Sequence, residues 1–282
     1  MLYSSEELKN MCTVVVCSCD KYENTWIPFF TVLKNCWKDN PFSIVLNTES
    51  KSFTMNDMDI KCLQLFKDKK EKSWSDRLKA NLKAINTKYV IILLEDFFME
   101  KDVDTNKIIK CMNWMENDNT ITCFNFYKTI CKKKDCQYPE FSQRTRFSQY
   151  KFNTQACLWN REDLISYLRS DENPWVWEFV GNIRSFFVNK KFYCCADDAD
   201  MAFTYTLPGI VRGHWNGDLV EPIVEKYGIK LDYTKMPRAS REYVIAHTNE
   251  LKEHDRLFFL RIIHSYIYNI LKYPKSLFKE RS

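Results

Sequence analysis

The stretch YVIILLEDFF at residues 89–98 indicates the fold class of the whole chain. It joins a continuous apolar run to two adjacent carboxylates, Glu95 and Asp96. Such a run is typical of a strand buried on both faces, as in the parallel sheet of an α/β protein. Open α/β sheets bind ligands at the carboxyl ends of their strands, so we expect the acidic pair to lie at a ligand site. Paired acids there suit a hard divalent cation that bridges phosphate oxygens, and a solvated strand end is the alternative.

Strand and helix patterns alternate on both sides of this stretch. Strand-like runs occupy residues 13–17, 42–46, 60–66, 121–126, 155–159 and 191–196. Helical spacing of apolar residues marks residues 26–37, 73–85, 104–116, 160–169 and 175–188. This alternation predicts an α/β protein with a mixed, mostly parallel sheet flanked by helices. Residues 128–153 are polar and weakly periodic, which is typical of a functional loop or a disordered segment.

The composition of the chain limits the classes of protein to which it can belong. A chain of 282 residues can bury a sizeable core, and its net charge of only +5 argues against a dedicated nucleic-acid binder. Its 12 cysteines lie mostly in or beside apolar segments, and Cys131 and Cys136 lack the further ligands of a zinc set. The start of the chain is polar, and no apolar run is long enough to cross a bilayer. These features predict a reduced, cytoplasmic protein.

The C-terminal tail differs from the rest of the chain. Residues 256–275 crowd large apolar side chains onto a helix that ends among basic residues. The pattern predicts either an interfacial helix on the inner membrane surface or a helix packed in the core or in a dimer interface. We therefore expect one domain over residues 1–240 and a helical extension over residues 241–282.

The order of motifs resembles that of bacterial glycosyltransferases of the GT-A fold, the type that acts in capsule and lipopolysaccharide biosynthesis. The resemblance is carried by VVVCSCDKYENTW at 14–26, WSDRLKANLKAINTKYVIILLEDFF at 74–98, QACLWNREDL at 155–164, ENPWVWEFVG at 172–181 and GIVRGHW at 209–215. It implies transfer of a sugar from a nucleotide-sugar donor to a hydroxyl of a glycan or lipid-linked acceptor. It also implies a divalent metal, Mn²⁺ or Mg²⁺, as a cofactor.

The resemblance implies donor-binding residues near the first strand and before the central one. In the similar enzymes the loop after the first strand holds the nucleotide, and here that loop carries Ser18, Asp20 and Tyr22. An ordinary turn capped by Asp20 is the alternative. Trp74 and Arg77 open the helix before the central strand, where Arg77 is expected to hold a diphosphate and Trp74 fits the core equally well.

Metal and diphosphate ligands are implied at two places. Family members carry Asp-x-Asp at the end of the central strand, where this chain has Glu95 followed by Asp96. We expect Asp96, with Glu95 beside it, to support the diphosphate directly, through a metal, or in a metal-independent site. The resemblance also implies that Arg212 touches the diphosphate and that His214 ligates the metal, although a lone histidine is more often structural. A rival acidic cluster follows another apolar strand at residues 197–200.

An inverting transfer needs a general base that deprotonates the acceptor hydroxyl. The resemblance implies an acidic residue near a helix start in the second half of the domain, and Glu178 is the match. Its neighbours Trp175 and Trp177 suit stacking on sugar faces and would raise its pKa by desolvation. An exposed glutamate beside two core tryptophans is the alternative. Gln155 and Trp159 are implied to lie along the donor and acceptor cleft.

Two other classes of protein remain open at this point. A sugar nucleotidyltransferase would carry a glycine-rich phosphate loop after the first strand, and SCDKYENTW at 18–26 has no glycine. A non-catalytic carbohydrate-binding or nucleotide-sugar-binding protein would be compatible with the aromatic content of 15% and with the absence of Asp-x-Asp at the end of the central strand.

Overall fold

The computed structural model of the chain describes residues 3–67, 72–253 and 267. The first half of the fold alternates helices and strands. In chain order its elements are α1 (Ser5–Met11), β1 (Cys12–Cys17), a 3₁₀ turn (Asp20–Tyr22), α2 (Glu23–Cys36), β2 (Ser43–Asn47), β3 (Ile60–Cys62), α3 (Trp74–Lys83), β4 (Tyr89–Leu94), α4 (Thr105–Asn117) and β5 (Ile121–Asn125).

The second half adds short strands and short helical segments. In chain order these are β6 (Lys133–Asp135), β7 (Phe141–Arg144), β8 (Cys157–Asn160), α5 (Arg161–Tyr167), α6 (Pro174–Val176), a π-helical turn (Trp177–Gly181), α7 (Asn182–Arg184), a second 3₁₀ turn (Ser185–Phe187), β9 (Lys191–Cys195), β10 (Ile210–Val211), β11 (His214–Trp215), α8 (Gly217–Glu225) and α9 (Arg241–Glu253).

The described residues form a nine-stranded sheet in the order β3-β2-β1-β4-β8-β5-β9-β7-β6. Strands β3, β2, β1 and β4 pair in parallel, as do β5 and β9. Strand β8 runs antiparallel between β4 and β5, and β7 runs antiparallel to both β9 and β6. All strands except β8 and β7 therefore run in one direction, and the predicted mixed, mostly parallel α/β sheet is confirmed.

Strand β4 lies inside the sheet and separates two hydrophobic cores. Tyr89, Ile91 and Leu93 belong to one core, which also takes side chains from α2 and α4, whereas Val90 and Ile92 belong to the other, which takes side chains from α3 and α5. Successive side chains of a strand point to opposite faces, so a continuous apolar run fills both cores. Each such side chain contributes about 1.5–3 kcal/mol when fully buried, so helices on both faces fix the position of the strand.

Residues 128–153 were predicted to be irregular, and this prediction is wrong in part. They contain the hairpin of β6 and β7 at the far edge of the sheet, where β7 pairs with β9 and buries Phe141 and Arg144. The outer strand, β6, carries Lys133 and Lys134, and lysines of this kind protect an exposed sheet edge from pairing. An edge strand therefore lacks the apolar alternation by which a strand is recognised in a sequence.

The predicted helix over residues 175–188 is divided into short helical segments. A buried ion pair holds the segment in place: Arg184 Nη1 and Nη2 donate to the two carboxylate oxygens of Glu172 at 2.6 and 3.0 Å. The backbone of Glu172 in turn bonds Ser75, since the Ser75 amide donates to the Glu172 carbonyl at 3.1 Å and the Glu172 amide donates to Ser75 Oγ at 3.0 Å. The start of α3 and the segment that carries Glu178 are therefore joined.

Helix α9 begins at Arg241, the predicted first residue of the C-terminal extension. The predicted apolar helix over residues 256–275 lies outside the described residues. Within the described part of the chain, no helix is long and apolar enough to cross a membrane.

We expect Glu172→Gln to lower the free energy of unfolding by about 3–5 kcal/mol, because Arg184 would stay buried without a counter-charge. The matched control is Asp57→Asn, which removes an exposed ion pair with Lys34 and should cost at most about 1 kcal/mol. Urea unfolding of the two variants measures both changes. Equal losses in the two variants would show that the buried pair does not hold the segment.

Candidate active site at the carboxyl edge of the sheet

The carboxyl ends of β1, β2 and β4 meet at one edge of the sheet. Ser18 follows β1, Glu49 lies two residues beyond β2, and Glu95 and Asp96 follow β4 directly. Strand β8 runs antiparallel beside β4, so Gln155, which comes shortly before β8, lies at the same edge. The edge at which the sequence predicted a ligand site therefore gathers hydroxyl, amide and carboxylate groups.

Glu95 is buried and Asp96 is half-buried, and the pKa of each carboxyl is raised. Trp26 Nε1 donates to Ser18 Oγ at 2.8 Å, and Ser18 Oγ donates to Glu95 Oε1 at 3.0 Å. Burial, followed by the charge of Asp96, raises the pKa of Glu95, even though the Ser18 hydrogen bond and the charge of Arg77 act in the opposite direction. Burial also raises the pKa of Asp96. Two carboxyls in this state favour a bound positive charge, which would let both ionise.

Two buried acceptor oxygens at this edge have no hydrogen-bond partner among the described residues. They are Asp96 Oδ1 and Gln155 Oε1. Buried polar atoms are nearly always paired, so an orphaned acceptor indicates a missing cation, water or ligand donor. Neither backbone nor side chains of the described chain supply that partner.

The segment GIVRGHW at 209–215 packs on the turn that follows β4. The Gly209 amide donates to the Asp96 carbonyl at 2.6 Å. A Cβ on Gly209 would lie 2.6 Å from the Phe98 ring and 2.7 Å from Val220, so only glycine allows this approach. The segment that carries Arg212 and His214 is therefore anchored beside Asp96.

His214 is held within this segment and against the C-terminal helix. Its Nδ1 lies 3.2 Å from the Arg212 carbonyl, and its ring centre lies 4.7 Å from that of Tyr243 on α9. Arg212 itself is exposed and adopts a left-handed φ of 47°. Across the described ranges, no group of three or more His, Cys, Asp or Glu side chains is placed to hold a metal ion. A cation at this site would need ligands from the substrate or from water.

The loop after β1 is tied to the loop after β2. The carboxylate of Asp20 accepts hydrogen bonds from the Glu49 amide at 3.0 Å and from the Ser50 amide and hydroxyl at 3.0 and 2.6 Å. Burial raises the pKa of Asp20, but the hydrogen bonds, led by that of the Ser50 side chain, outweigh it and lower the pKa overall. In this arrangement Asp20 holds the two loops together rather than presenting a free carboxylate.

Arg77 and Tyr22 are held in different ways. Arg77 Nη1 donates to the Ser18 carbonyl at 3.1 Å and pairs with Glu49, so this part of the guanidinium is already occupied. Burial raises the pKa of Tyr22, and the charges of Cys19, Glu95 and Asp96 act in the same direction. Tyr22 is partly buried and packs against the hydrophobic core.

The predicted tryptophans divide between the core and the surface. The Trp74 and Trp177 rings lie 5.5 Å apart, and Trp177 stacks on Phe152 with a centroid distance of 5.1 Å. Trp159 is fully buried. Trp159 and Trp177 are therefore core residues, whereas Trp175 is 60% exposed and open to a ligand.

Glu178 is anchored at the same edge of the sheet. Its Oε1 accepts hydrogen bonds from the Thr154 amide at 2.6 Å and from Thr154 Oγ1 at 2.9 Å. Thr154 precedes β8, which lies antiparallel to β4, so this anchor is on the side of the sheet edge where β4 ends. Burial raises the pKa of Glu178, although both Thr154 hydrogen bonds act to lower it.

Sequence reasoning missed three residues that shape this edge. Glu49 binds Arg77, Thr154 holds Glu178, and the Tyr205 hydroxyl accepts a hydrogen bond from the Ala156 amide at 2.9 Å. Burial is the main cause that raises the pKa of Tyr205, and the charge of Asp96 raises it further. These residues are far apart in the sequence, so no local pattern connects them with the site.

The rival acidic cluster at residues 197–200 lies elsewhere on the sheet. Asp197, Asp198 and Asp200 are exposed, and Asp197 pairs with Lys133 on the hairpin at 2.5 Å. Asp197 and Asp198 line a groove of about 530 Å³ beside β6 and β7. The cluster is therefore solvated and part of a different surface.

Comparisons with known proteins concern the fold. No protein-family model and no curated protein matches the sequence. Among solved structures, TarS 1–349 of S. aureus has 10% identity over 68% of this chain, with a TM-score of 0.46. The CMP:2-keto-3-deoxy-manno-octonic acid synthetase complexed with CTP has 11% identity over 77% of this chain, with a TM-score of 0.44.

A third similar structure is glucosyl-3-phosphoglycerate synthase from Mycobacterium tuberculosis, solved with Mn²⁺ and UDP-glucose, at 8% identity over 85% of this chain and a TM-score of 0.41. The matched parts are 59% of the TarS chain, 98% of the synthetase and 85% of the synthase. This chain therefore spans less than two thirds of the TarS fragment. Likeness at this level says nothing about activity, and the α/β assignment rests on the strand order and register given above.

We expect Asp96→Asn to stabilise the ligand-free protein at alkaline pH. A carboxyl whose pKa is raised by folding holds its proton more tightly in the folded state, so stability falls as the pH rises from its unfolded pKa of about 3.9 through the raised value. The variant should gain at least ~1 kcal/mol at about pH 8 and almost nothing at about pH 4. Urea unfolding at the two pH values, with the exposed Asp102→Asn as control, measures the difference. A loss of stability at both pH values would contradict the assignment.

Proposed function

We propose that this chain is a glycosyltransferase that moves a sugar from a nucleotide-sugar donor to a hydroxyl of a glycan or lipid-linked acceptor. The observation that carries the proposal is the adjacent pair of Glu95 and Asp96 at the end of β4, in which Asp96 Oδ1 is buried and lacks a partner among the described residues. The motifs at 14–26 and 74–98, which resemble those of GT-A enzymes, support the same placement of a donor site.

The donor diphosphate is proposed to bind between the turn after β4 and the segment at 209–215. The site fits a divalent cation, Mn²⁺ or Mg²⁺, because its oxygen donors are hard and one of them is orphaned. Asp96 would hold the cation, with Glu95 beside it and with Arg212 and His214 on the segment bonded to the Asp96 carbonyl. When bound, the cation supplies electrostatic stabilisation of the departing diphosphate.

The loop after β1 is proposed to hold the nucleoside. Ser18 orients Glu95 through a hydrogen bond, and Tyr22 in the same loop offers a ring for stacking. Asp20 and Arg77 keep this loop in position through Glu49 and Ser50. Trp74 supports the start of α3 from the core.

Glu178 is proposed to be the general base of an inverting transfer. Its Oε1 is fixed by two hydrogen bonds from Thr154, which leaves Oε2 without a partner among the described residues to accept the proton of the acceptor hydroxyl. Burial raises its pKa, and a base with a raised pKa takes up a proton more readily near neutral pH. Trp175 is exposed and precedes Glu178 in the chain, and we propose that it stacks on an acceptor sugar.

The finer parts of the proposal rest on the resemblance of the motifs. They are a hexosyl or N-acetylhexosaminyl donor, a role in capsule or lipopolysaccharide biosynthesis, and a cytoplasmic enzyme that meets a lipid-linked acceptor at the inner membrane face. The division into a catalytic domain over residues 1–240 and a helical extension over 241–282 belongs to the same proposal.

The experiment that tests the proposal is incubation of the purified chain with a panel of nucleotide-sugars, with Mn²⁺ or Mg²⁺ and then with EDTA. We expect release of the nucleotide from one donor, and Asp96→Asn should slow that release by at least ~10²-fold. Asp198→Asn in the exposed cluster is the control and should keep the wild-type rate. Pyrophosphate release from a nucleoside triphosphate and a sugar phosphate would instead identify a nucleotidyltransferase, and binding without turnover would identify a binding protein.

We expect Glu178→Gln to lower the transfer rate by about 10²–10⁴, because the acceptor hydroxyl would lose its base. The dissociation constant of the donor, measured by calorimetry, should change little. The control is Glu162→Gln, whose side chain is 71% exposed and pairs with Arg161. If Glu178→Gln weakens donor binding as much as it slows transfer, Glu178 is not the base.

A further inference from the structure

The three most exposed large apolar side chains of the described residues are Ile130, Phe187 and Phe147. Their exposed fractions are 100%, 74% and 66%, respectively. Single apolar side chains are common on protein surfaces, whereas a contiguous group of them marks an interaction site. The contacts between the segments that carry these three side chains show that they form such a group.

Ile130 lies beside the end of β7. Arg144, the last residue of that strand, donates from Nη2 to Thr129 Oγ1 at 3.0 Å. On the other side of Ile130, the Lys132 carbonyl accepts a hydrogen bond from the Thr145 amide at 3.2 Å. The chain is therefore bonded to the end of β7 both before and after Ile130.

Phe147 and Phe187 lie on two further segments that contact each other. Arg146 Nε donates to the Phe186 carbonyl at 2.9 Å. The Phe147 and Phe186 rings meet edge to face, with their centres 5.5 Å apart. The loop that carries Arg146 and Phe147 begins just after β7, so all three segments meet at the end of this strand. We call Ile130, Phe147 and Phe187 the apolar patch.

Basic residues lie next to the apolar patch. Residues 128–153 contain seven Lys or Arg but only two Asp or Glu, so this segment carries an excess of positive charge as large as the net charge of +5 of the whole chain. Lys132, Lys134 and Arg146, here called the basic rim, are exposed, and none of them forms an ion pair within the described part of the chain. The Arg146 guanidinium lies 5.7 Å from the centre of the Phe147 ring, so positive charge and apolar surface adjoin.

The loop that carries Phe147 is joined to the segment of the proposed base. Asn182 Nδ2 donates to the Ser148 carbonyl at 3.0 Å, and Asn182 Oδ1 accepts a hydrogen bond from the Lys151 amide at 2.9 Å. Asn182 directly follows the π-helical turn that carries Glu178. Only short, hydrogen-bonded stretches of chain therefore separate the apolar patch from Glu178.

We propose that the apolar patch and the basic rim together dock the protein on a bilayer that contains anionic lipids. The apolar side chains enter the boundary between headgroups and acyl chains, and the basic rim binds lipid phosphates. The unpaired positive charge favours this occupant over a protein partner, because it complements the negative potential of such a bilayer. The choice of a membrane rests on the proposed function, since docking here brings a lipid-linked acceptor beside the segment of Glu178. The surface uses none of residues 256–275, for which an interfacial helix is one of the two predictions.

The first test measures the partition of the intact chain onto vesicles by sedimentation, with neither donor nor acceptor present. We expect partition onto vesicles of phosphatidylcholine mixed with phosphatidylglycerol to be at least ~10-fold stronger than onto phosphatidylcholine alone, because each group of the basic rim contributes about fivefold. Added salt should weaken the partition, since it screens these charges. Equal partition onto the two kinds of vesicle would overturn the proposal.

Two double variants and a control locate the binding surface. Phe147→Ser combined with Phe187→Ser should lower partition onto the anionic vesicles by at least ~10-fold, because two apolar side chains would no longer be buried in the bilayer. Lys132→Gln combined with Lys134→Gln should lower it by at least ~10-fold as well. The matched control is Ile27→Ser on α2, which removes a side chain that is 58% exposed and lies outside the apolar patch, and it should leave partition unchanged. Wild-type partition in both double variants would overturn the proposal.

Failure of the docking surface is distinguishable from failure of the proposed function. Every replaced side chain is exposed, so the variants should stay folded, which circular dichroism checks. Without vesicles, they should release nucleotide from the donor at the wild-type rate. A chain that binds vesicles as expected but releases nucleotide from no donor would support the docking surface and contradict the proposed function. A chain that releases nucleotide but does not bind anionic vesicles would overturn the docking surface alone.

Discussion

The placement of two adjacent carboxyls at the end of β4, with Glu95 buried and Asp96 half-buried around a covered Oδ1, is the constraint on which the rest of the candidate site depends. The strand is hydrogen-bonded to β1 on one side and to β8 on the other, and its side chains fill both cores. A shift in register by one residue would move every side chain to the wrong face, so the strand cannot move to release its end to solvent. Glu95 is therefore held inside the protein and Asp96 at its edge, where Asp96 Oδ1 is buried without a partner among the described residues. The proposed cation would offset the cost of leaving this acceptor unpaired.

The antiparallel strand β8 brings further groups of the candidate site to this edge of the sheet. Because β8 enters the sheet beside β4, the residues before it come back to the carboxyl end of the parallel strands. Thr154 then fixes Glu178, and Gln155 presents its unpaired oxygen, so the groups proposed for the donor and the acceptor share one edge. Glu172 keeps this arrangement rigid, because its carboxylate pairs with Arg184 in the following helical segment and its backbone bonds Ser75 on α3. A preorganised carboxylate of this kind is what proton abstraction requires.

Sequence patterns predicted those strands and helices whose local residue pattern corresponds to their burial in the folded protein. Strand β4 was predicted because burial on both faces needs an unbroken apolar run. The helix predicted over residues 160–169 was found as α5, and Asn160 caps it by accepting a hydrogen bond from the Asp163 amide at 3.1 Å. The hairpin of β6 and β7 was missed, since its polar edge strand shows no alternation. The engagement of Asp20 by Ser50 and the contact of Tyr205 with the Ala156 amide depend on loops that only the folded sheet brings together.

The central claim is that the orphaned oxygen of Asp96 marks the site of a cation and a donor diphosphate. A crystal structure of the chain soaked with Mn²⁺ and a nucleoside diphosphate tests it most directly, because manganese is located by its anomalous scattering. The account predicts a manganese peak beside Asp96, with the diphosphate between the turn after β4 and the segment at 209–215. Manganese and nucleotide bound at Asp197 and Asp198 instead, with the carboxyl edge of β4 empty, would contradict it.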